Sequence, residues 1–378
     1  MITINVVGDF CVSNINGLTF SKTLSAVLNT ADINILNLEA PVSNIGSKPI
    51  KKSGPNICQH SDVPLFLESN GFNAIAMSNN HILDFGEEAY YKTIKSFSKA
   101  ITFGAGTFEE AYQIKVCKAQ GLKIGLLGLS QYEFGIHSDI IDSKDKIGVA
   151  WMCHPCIDEL IVNAKRDCDF LLLMPHAGLE NYEYPLPELC TLYRHFIDMG
   201  ADAIVGGHPH IPQSHEMYKD KLIIYSLGNF CFDSLKEENR MWNTGLLVSL
   251  KMDDSKKVET IIRYTHFNNK KRIIDLIEDS NVDKYFSTIN KVFQDNQAYL
   301  LEINRKCLEL RPFYTDLFEL SGLYEMNSRK VLGYFYRRLK NKLTNKHISK
   351  PEKTHYINNL RCETHRWVLS RIYELTND

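Results

Sequence analysis

The chain has 378 residues, 44% hydrophobic and 23% charged, with a formal net charge of −2. That balance leaves no broad basic field for nucleic acid, and no stretch is long and apolar enough to span a bilayer. The length predicts one large domain with an appendage, or two domains, and ten cysteines without a repeating framework read as thiols of a reducing compartment.

Met1 leads directly into "ITINVVGDF", a first strand with no basic or apolar leader before it, so the expectation is a cytoplasmic protein without a signal peptide. Strands are predicted at residues 3–7, 33–38, 74–77, 123–129, 170–174, 203–205, 222–226 and 245–251. Helices lie between them, among them 87–99 and 186–199, the second stopped by Gly200. This alternation predicts an α/β protein with largely buried strands. From residue 222 to 266 three runs, "LIIYSLGNFCF", "TGLLVSLKM" and "KVETIIRYTHF", follow one another without helices and predict an antiparallel closing sheet. Beyond residue 270 glycine thins out and amphipathic stretches take over. Residues 1–270 therefore read as the α/β domain and 271–378 as a basic, helical C-terminal extension. Its basic run, "SRKVLGYFYRRLKNKLTNKHISKPEKTH", precedes a last helix with Val368, Ile372 and Leu375 on one face.

The predicted strands share a property at their carboxyl ends, where open α/β sheets bind ligands. The first ends in Gly8-Asp9 and the second in "NLEAP", with Asn37 and Glu39. The third gives "SNNHILDFG", with Asn79, Asn80, His81 and Asp84. Later strands end in His176, in "GGHPHIPQ" with His208 and His210, and in "SLGNF" with Asn229. Two histidines held apart by a proline would be unremarkable in a loop. Six polar strand ends in succession argue for one site.

Carboxylates mixed with imidazoles suit a divalent transition metal such as Mn²⁺, Fe²⁺ or Zn²⁺, and the donors are too many for one tetrahedral ion. Two ions bridged by a carboxylate would use them all. A histidine outside the ligand set would then protonate a leaving oxygen.

The order Gly8-Asp9, Glu39, Asn80-His81, His176 and Gly207-His208-Pro209-His210 resembles the calcineurin-like metallophosphoesterase superfamily, more narrowly its CapA branch of bacterial capsule (poly-γ-glutamate) synthesis proteins. "NLEAP", "SNNHILDFGEEA", "HPHIPQ" and "YSLGNFCFD" carry the resemblance, which covers about residues 2 to 250. It implies a four-layer α/β/β/α sandwich. It also implies that Asp9 and His210 bind one ion and Asn80, His176 and His208 the other, with Glu39 between them and His81 as the acid. Asn79, Asp84, Glu180 and Asn229 would contact substrate or orient ligands.

The superfamily usually opens with Asp-x-His, whereas Asp9 is followed by Phe10 and Cys11. Cys11 is expected as a buried thiol, which leaves one ion with fewer donors and predicts two unequal affinities. His137, His154, His195 and His215 are expected at the surface or in packing, and the isolated Cys153-x-x-Cys156 spacing outside any metal site. The function expected is a metal-dependent phosphoesterase-like hydrolase acting on a phosphorylated or anionic glycan or polymer precursor in capsule biosynthesis. The alternatives are a non-catalytic assembly factor that binds metal and polymer, and a metal-dependent amide hydrolase acting on a polyglutamate-like chain. The basic extension would meet a capsule-assembly partner or remain a solvated face.

Overall fold

The computed structural model describes residues 1–42, 48–137, 146–233, 241–253, 255–315 and 358–376. The basic run at 328–355 lies outside them. In chain order the strands begin with β1 (Ile2–Cys11), β2 (Thr19–Phe20), β3 (Ile33–Leu38), β4 (Ala74–Ala76), β5 (Ile101–Phe103) and β6 (Ala105–Gly106). Then come β7 (Lys115–Ala119), β8 (Leu122–Ser130), β9 (Ile136–His137), β10 (Gly148–Ala150), β11 (Phe170–His176) and β12 (Ala203–Val205). The last are β13 (His215–Tyr218), β14 (Lys221–Ile224), β15 (Asn229–Phe232), β16 (Thr244–Met252), β17 (Val258–Asn268) and β18 (Ile273–Ile277).

They form two large sheets and a small third one, β6-β10-β9. The first runs β2-β18-β17-β16-β1-β3-β4-β5, with β15 also paired to β1, and the second runs β13-β14-β12-β11-β8-β7. Strands β1, β3 and β4 of the first and β14, β12, β11 and β8 of the second run parallel, and β3 and β11 are buried throughout, which is why they read "INILNL" and "FLLLMPH" rather than alternating. Helices Lys22–Asn29, Val63–Ser69 and Gly86–Ser96 send Leu24, Leu67 and Tyr90 into one apolar cluster with Leu36, Ile75 and Ile274 of the first sheet. On the second sheet, Tyr193 of helix Pro187–Met199 stacks on Tyr225 at 5.5 Å. Between the sheets lies a cavity of about 10 Å³ lined by Val7, Asp9 and Asn37 from one and Met174, His176 and Val205 from the other. Two sheets packed face to face with helices outside are the sandwich expected.

Two expectations change. "LIIYSLGNFCF" is not one strand: β14 belongs to the second sheet and β15 to the first. The chain crosses between them at Leu227-Gly228, where Gly228 takes a φ of 68°, and only β16, β17 and β18 form the antiparallel closure. The α/β unit also extends past residue 270. Strand β18 pairs with β17 and helix Ser280–Gln294 follows it, so the chain divides into Met1–Ile50 with Asn56–Asn296, and Lys51–Pro55 with Gln297–Asp378. The charged residues around 270–272 form the turn into β18, and that hid a strand in a stretch of helical composition.

Within the second unit, helices Asn296–Thr315 and Glu363–Thr376 are joined by a Tyr314–His365 hydrogen bond of 2.6 Å, and Val368 and Ile372 are fully buried. Among the described residues no helix is long and apolar enough to cross a membrane.

Candidate metal centre

The site lies at the seam where β1 changes partner. Ile2 to Val7 pair with β16, Asp9 to Cys11 pair with β15, and the register shifts between Asp9 and Phe10. Gly8 makes the change sterically feasible: a Cβ there would sit 1.8 Å from Gly228 O. Asp9 is thereby buried between Asn37 at the end of β3 and Asn229 at the start of β15.

Asn37 ties two carboxylates together. Its amide donates to Asp9 Oδ1 at 2.8 Å and to Glu39 Oε2 at 2.5 Å. Asn79 in turn donates to Asn37 Oδ1 at 2.9 Å and accepts the backbone N–H groups of His81 and Ile82. Asn79 therefore shapes the turn after β4 rather than facing a substrate.

The second sheet supplies the imidazoles. His176 Nε2 lies 3.3 Å from Glu39 Oε1 and 3.1 Å from His208 Nδ1. His210 Nδ1 lies 3.6 Å from Asp9 Oδ2 and 3.0 Å from Asn229 Oδ1, so Asn229 orients His210. His208 and His210 both adopt left-handed backbone, with φ of 97° and 62°. This answers why two histidines flank Pro209: at these angles the chain leaves the strand direction and both rings turn toward Asp9 and His176.

The electrostatics are those of a cation site. Glu39 is fully buried, its Oε1 has no hydrogen-bond partner among the described residues, and burial and then the Asp9 charge push its carboxyl up to about 8. Burial also lowers His176, and His208 to about 4. Two buried carboxylates beside neutral imidazoles form a donor set that a divalent ion completes. Asp9, Glu39 and His176 each offer a donor atom, all within 4.8 Å of one another.

A pH dependence follows. Without an ion, Glu39 carries its proton at pH 7, and a cation must displace it. Metal affinity should therefore fall about tenfold per pH unit below 8 and level off above it, with competition from His208 arising only near pH 4. Calorimetry in two buffers of different ionisation enthalpy should read close to one proton released at pH 7 in the parent. A Glu39→Gln variant should release none.

His81 stands beside this group. Its Nδ1 is 2.7 Å from Asp84 Oδ2, while the helix that begins at Gly86 has Phe85 at its N-cap and no side-chain cap. Asp84 is thus placed to orient His81 and does not cap that helix.

Glu180 is exposed and forms no hydrogen bond to an imidazole; only its charge reaches His176 and His208. That corrects its expected part in orienting a histidine. Asn80 donates to Glu133 Oε2 at 2.9 Å, and Glu133 Oε1 lies 3.5 Å from His208 Nε2. Glu133 and its neighbour Gln131 were not among the sequence candidates. The signal was present in "GLSQYE", the polar end of β8, which lies in line with the other strand ends.

Cys11 is fully buried in an apolar cluster with Ala40, Ile57, Phe232 and Trp242. It lies beyond the register shift after Asp9, and the Phe232 and Trp242 rings of its cluster also pack on His210. Cys11→His should overfill that cluster and destabilise the fold by about 1–3 kcal/mol. Thermal melting should fall, and a metal titration should show no tightened ion. His137, His195 and His215 stay outside the centre, as does His154, which bonds Cys156 Sγ at 3.0 Å.

The family described as bacterial capsule synthesis protein PGA_cap matches residues 13–234. The chain is 31% identical over 221 residues to the capsule biosynthesis protein CapA of Bacillus anthracis, covering 56% of this chain and 53% of that one. It is 30% identical over 171 residues to the PGA biosynthesis protein CapA of Bacillus subtilis strain 168, covering 44% of each. The chain thus spans about half the length of these curated relatives. Among solved structures, a 5'-nucleotidase from Candida albicans aligns over 79% of this chain and 56% of its own, with 15% identity and a TM-score of 0.43.

Proposed function

The chain belongs to the bacterial capsule synthesis protein family PGA_cap, and from that premise we propose that it is a metal-dependent, phosphoesterase-like hydrolase of capsule or poly-γ-glutamate biosynthesis. The observation that carries this is the buried Asp9–Glu39–His176 group with the His81–Asp84 pair beside it. Asp9 and His210 would hold one Mn²⁺, Fe²⁺ or Zn²⁺ ion and Asn80, His176 and His208 a second, with Glu39 between them. Such ions supply Lewis acidity to a phosphoryl oxygen and lower the pKa of water.

The protein's own residues do the rest. Asn37 keeps the two carboxylates at a fixed separation through both of its amide hydrogens. Asp84 would hold a proton on His81 Nδ1, so that the ring, when it also carries a proton on Nε2, would give up that second proton to a leaving oxygen. The substrate class proposed is a phosphorylated or anionic precursor of the capsule polymer.

A second reading has its own support. With Cys11 in the apolar cluster, the first ion keeps only Asp9, Glu39 and His210, a set suited to binding an anionic polymer without turnover. One experiment separates the two. Protein stripped and reloaded with Mn²⁺ is assayed on phosphomonoesters, phosphodiesters and sugar phosphates. Metal-dependent turnover of any class supports the hydrolase. Full metal occupancy with no turnover supports the assembly factor.

A further inference from the structure

Glu133 is a buried carboxylate at the end of the second sheet, its side chain 8% exposed, and each of its oxygens meets a different candidate ligand. Oε2 accepts the Asn80 amide at 2.9 Å, and Oε1 lies 3.5 Å from His208 Nε2. Gln131 steadies the carboxylate by donating to Oε1 at 2.6 Å, while Gln131 Oε1 accepts the Gly178 backbone N–H at 3.1 Å. The other nitrogen of His208, Nδ1, points the opposite way, 3.1 Å from His176 Nε2. That nitrogen faces the Asp9–Glu39–His176 group, while the Nε2 side of the same ring meets the Gln131 amide nitrogen at 3.1 Å as well as Glu133, so the two residues together hold the ring from behind. Asn80 is held from behind too: with its amide drawn to Glu133, the carbonyl oxygen is the atom it presents to a cation.

We infer that Glu133 is a positioning residue for the metal centre, fixing the ring position of His208, together with Gln131, and the amide orientation of Asn80 at once. It acts through these two residues and is not itself a ligand. A carboxylate behind a metal-binding histidine sets its ring orientation and raises its basicity, and its removal typically weakens metal binding about 10- to 100-fold. Here it also adds a negative charge beside a subsite whose other own donors are neutral.

The inference rests on the reading that this cluster holds a divalent ion, and its test needs no turnover. Co²⁺ is titrated into stripped parent, Glu133→Gln, His208→Ala and the double variant. Glu133→Gln should weaken Co²⁺ binding about 10- to 100-fold and change the visible spectrum of the bound ion, with the melting temperature of the metal-free protein unchanged or raised. In the His208→Ala background the same substitution should cost severalfold less, because its main route of action is gone. Should Glu133→Gln not fold, Glu133→Asp keeps the charge but withdraws the oxygens and should show the same weakening. Unchanged Co²⁺ affinity in the variant overturns the inference, and so does an equal loss in both backgrounds, which would make Glu133 a direct ligand. If the parent itself takes up no Co²⁺, the metal reading falls and this inference with it.

Discussion

Replacing His81 with alanine will leave bound metal at the parent's level and slow phosphoester hydrolysis about 10²- to 10⁴-fold, the usual contribution of a general acid. The separation of the two effects comes from the geometry. His81 uses Nδ1 on Asp84, and its backbone N–H is fixed by Asn79, so the ring is held from behind by residues outside the Asp9–Glu39–His176 group that could hold an ion. Asp84→Ala should move activity in the same direction by a smaller factor, since the imidazole survives without its orienting carboxylate. Equal losses of metal and activity in His81→Ala would make it a ligand and sink the assignment. Metal analysis by mass spectrometry, run beside the kinetics on the same preparation, reads both quantities.

His208→Ala will do the opposite, stripping metal first and activity as a consequence. Its Nδ1 faces His176 Nε2, and its backbone N–H donates to Asp9 Oδ2 at 3.2 Å, so the residue touches both sheets' contributions. Losing a direct ligand should cost more than the 10- to 100-fold of an outer partner. Stability should report the same event. An ion at 100 times its Kd stabilises the fold by about 2.7 kcal/mol, and in His208→Ala the metal-induced rise in melting temperature should largely vanish. An unchanged metal content in this variant would refute the site as described.

Much of this centre could be read from the chain because strand ends in α/β sheets converge, and Asp9, Glu39, His176, His208 and His210 each terminate a recognisable apolar run. The same rule, applied to β8, would have yielded Gln131 and Glu133; the intervening Tyr132 and the absence of a histidine obscured it. Glu180 misled for the converse reason. It follows His176 closely in sequence, but Gly178, at a φ of 130°, turns the chain outward before it. The split of "LIIYSLGNFCF" between two sheets was invisible to pattern, since both halves are equally apolar and only the Gly8–Gly228 approach decides where the crossing falls. Strand β18 was hidden because alternation over five residues carries too little signal against a charged surrounding.

The seam at Gly8 also governs when the centre can come into being. Asp9 and His208, joined by a direct hydrogen bond, are 199 positions apart along the chain, and β1 gains its second partner beside Asp9, opposite Asn37, only once Asn229 has been threaded alongside. Contacts of such sequence separation are slow to form, because loop closure precedes any compensating interaction. The candidate donors all precede β15, but Asp9 and His210 gain their Asn229 contacts only when that strand is in place. During refolding, uptake of metal should therefore lag behind the recovery of helix and sheet, and should time the arrival of the last strands.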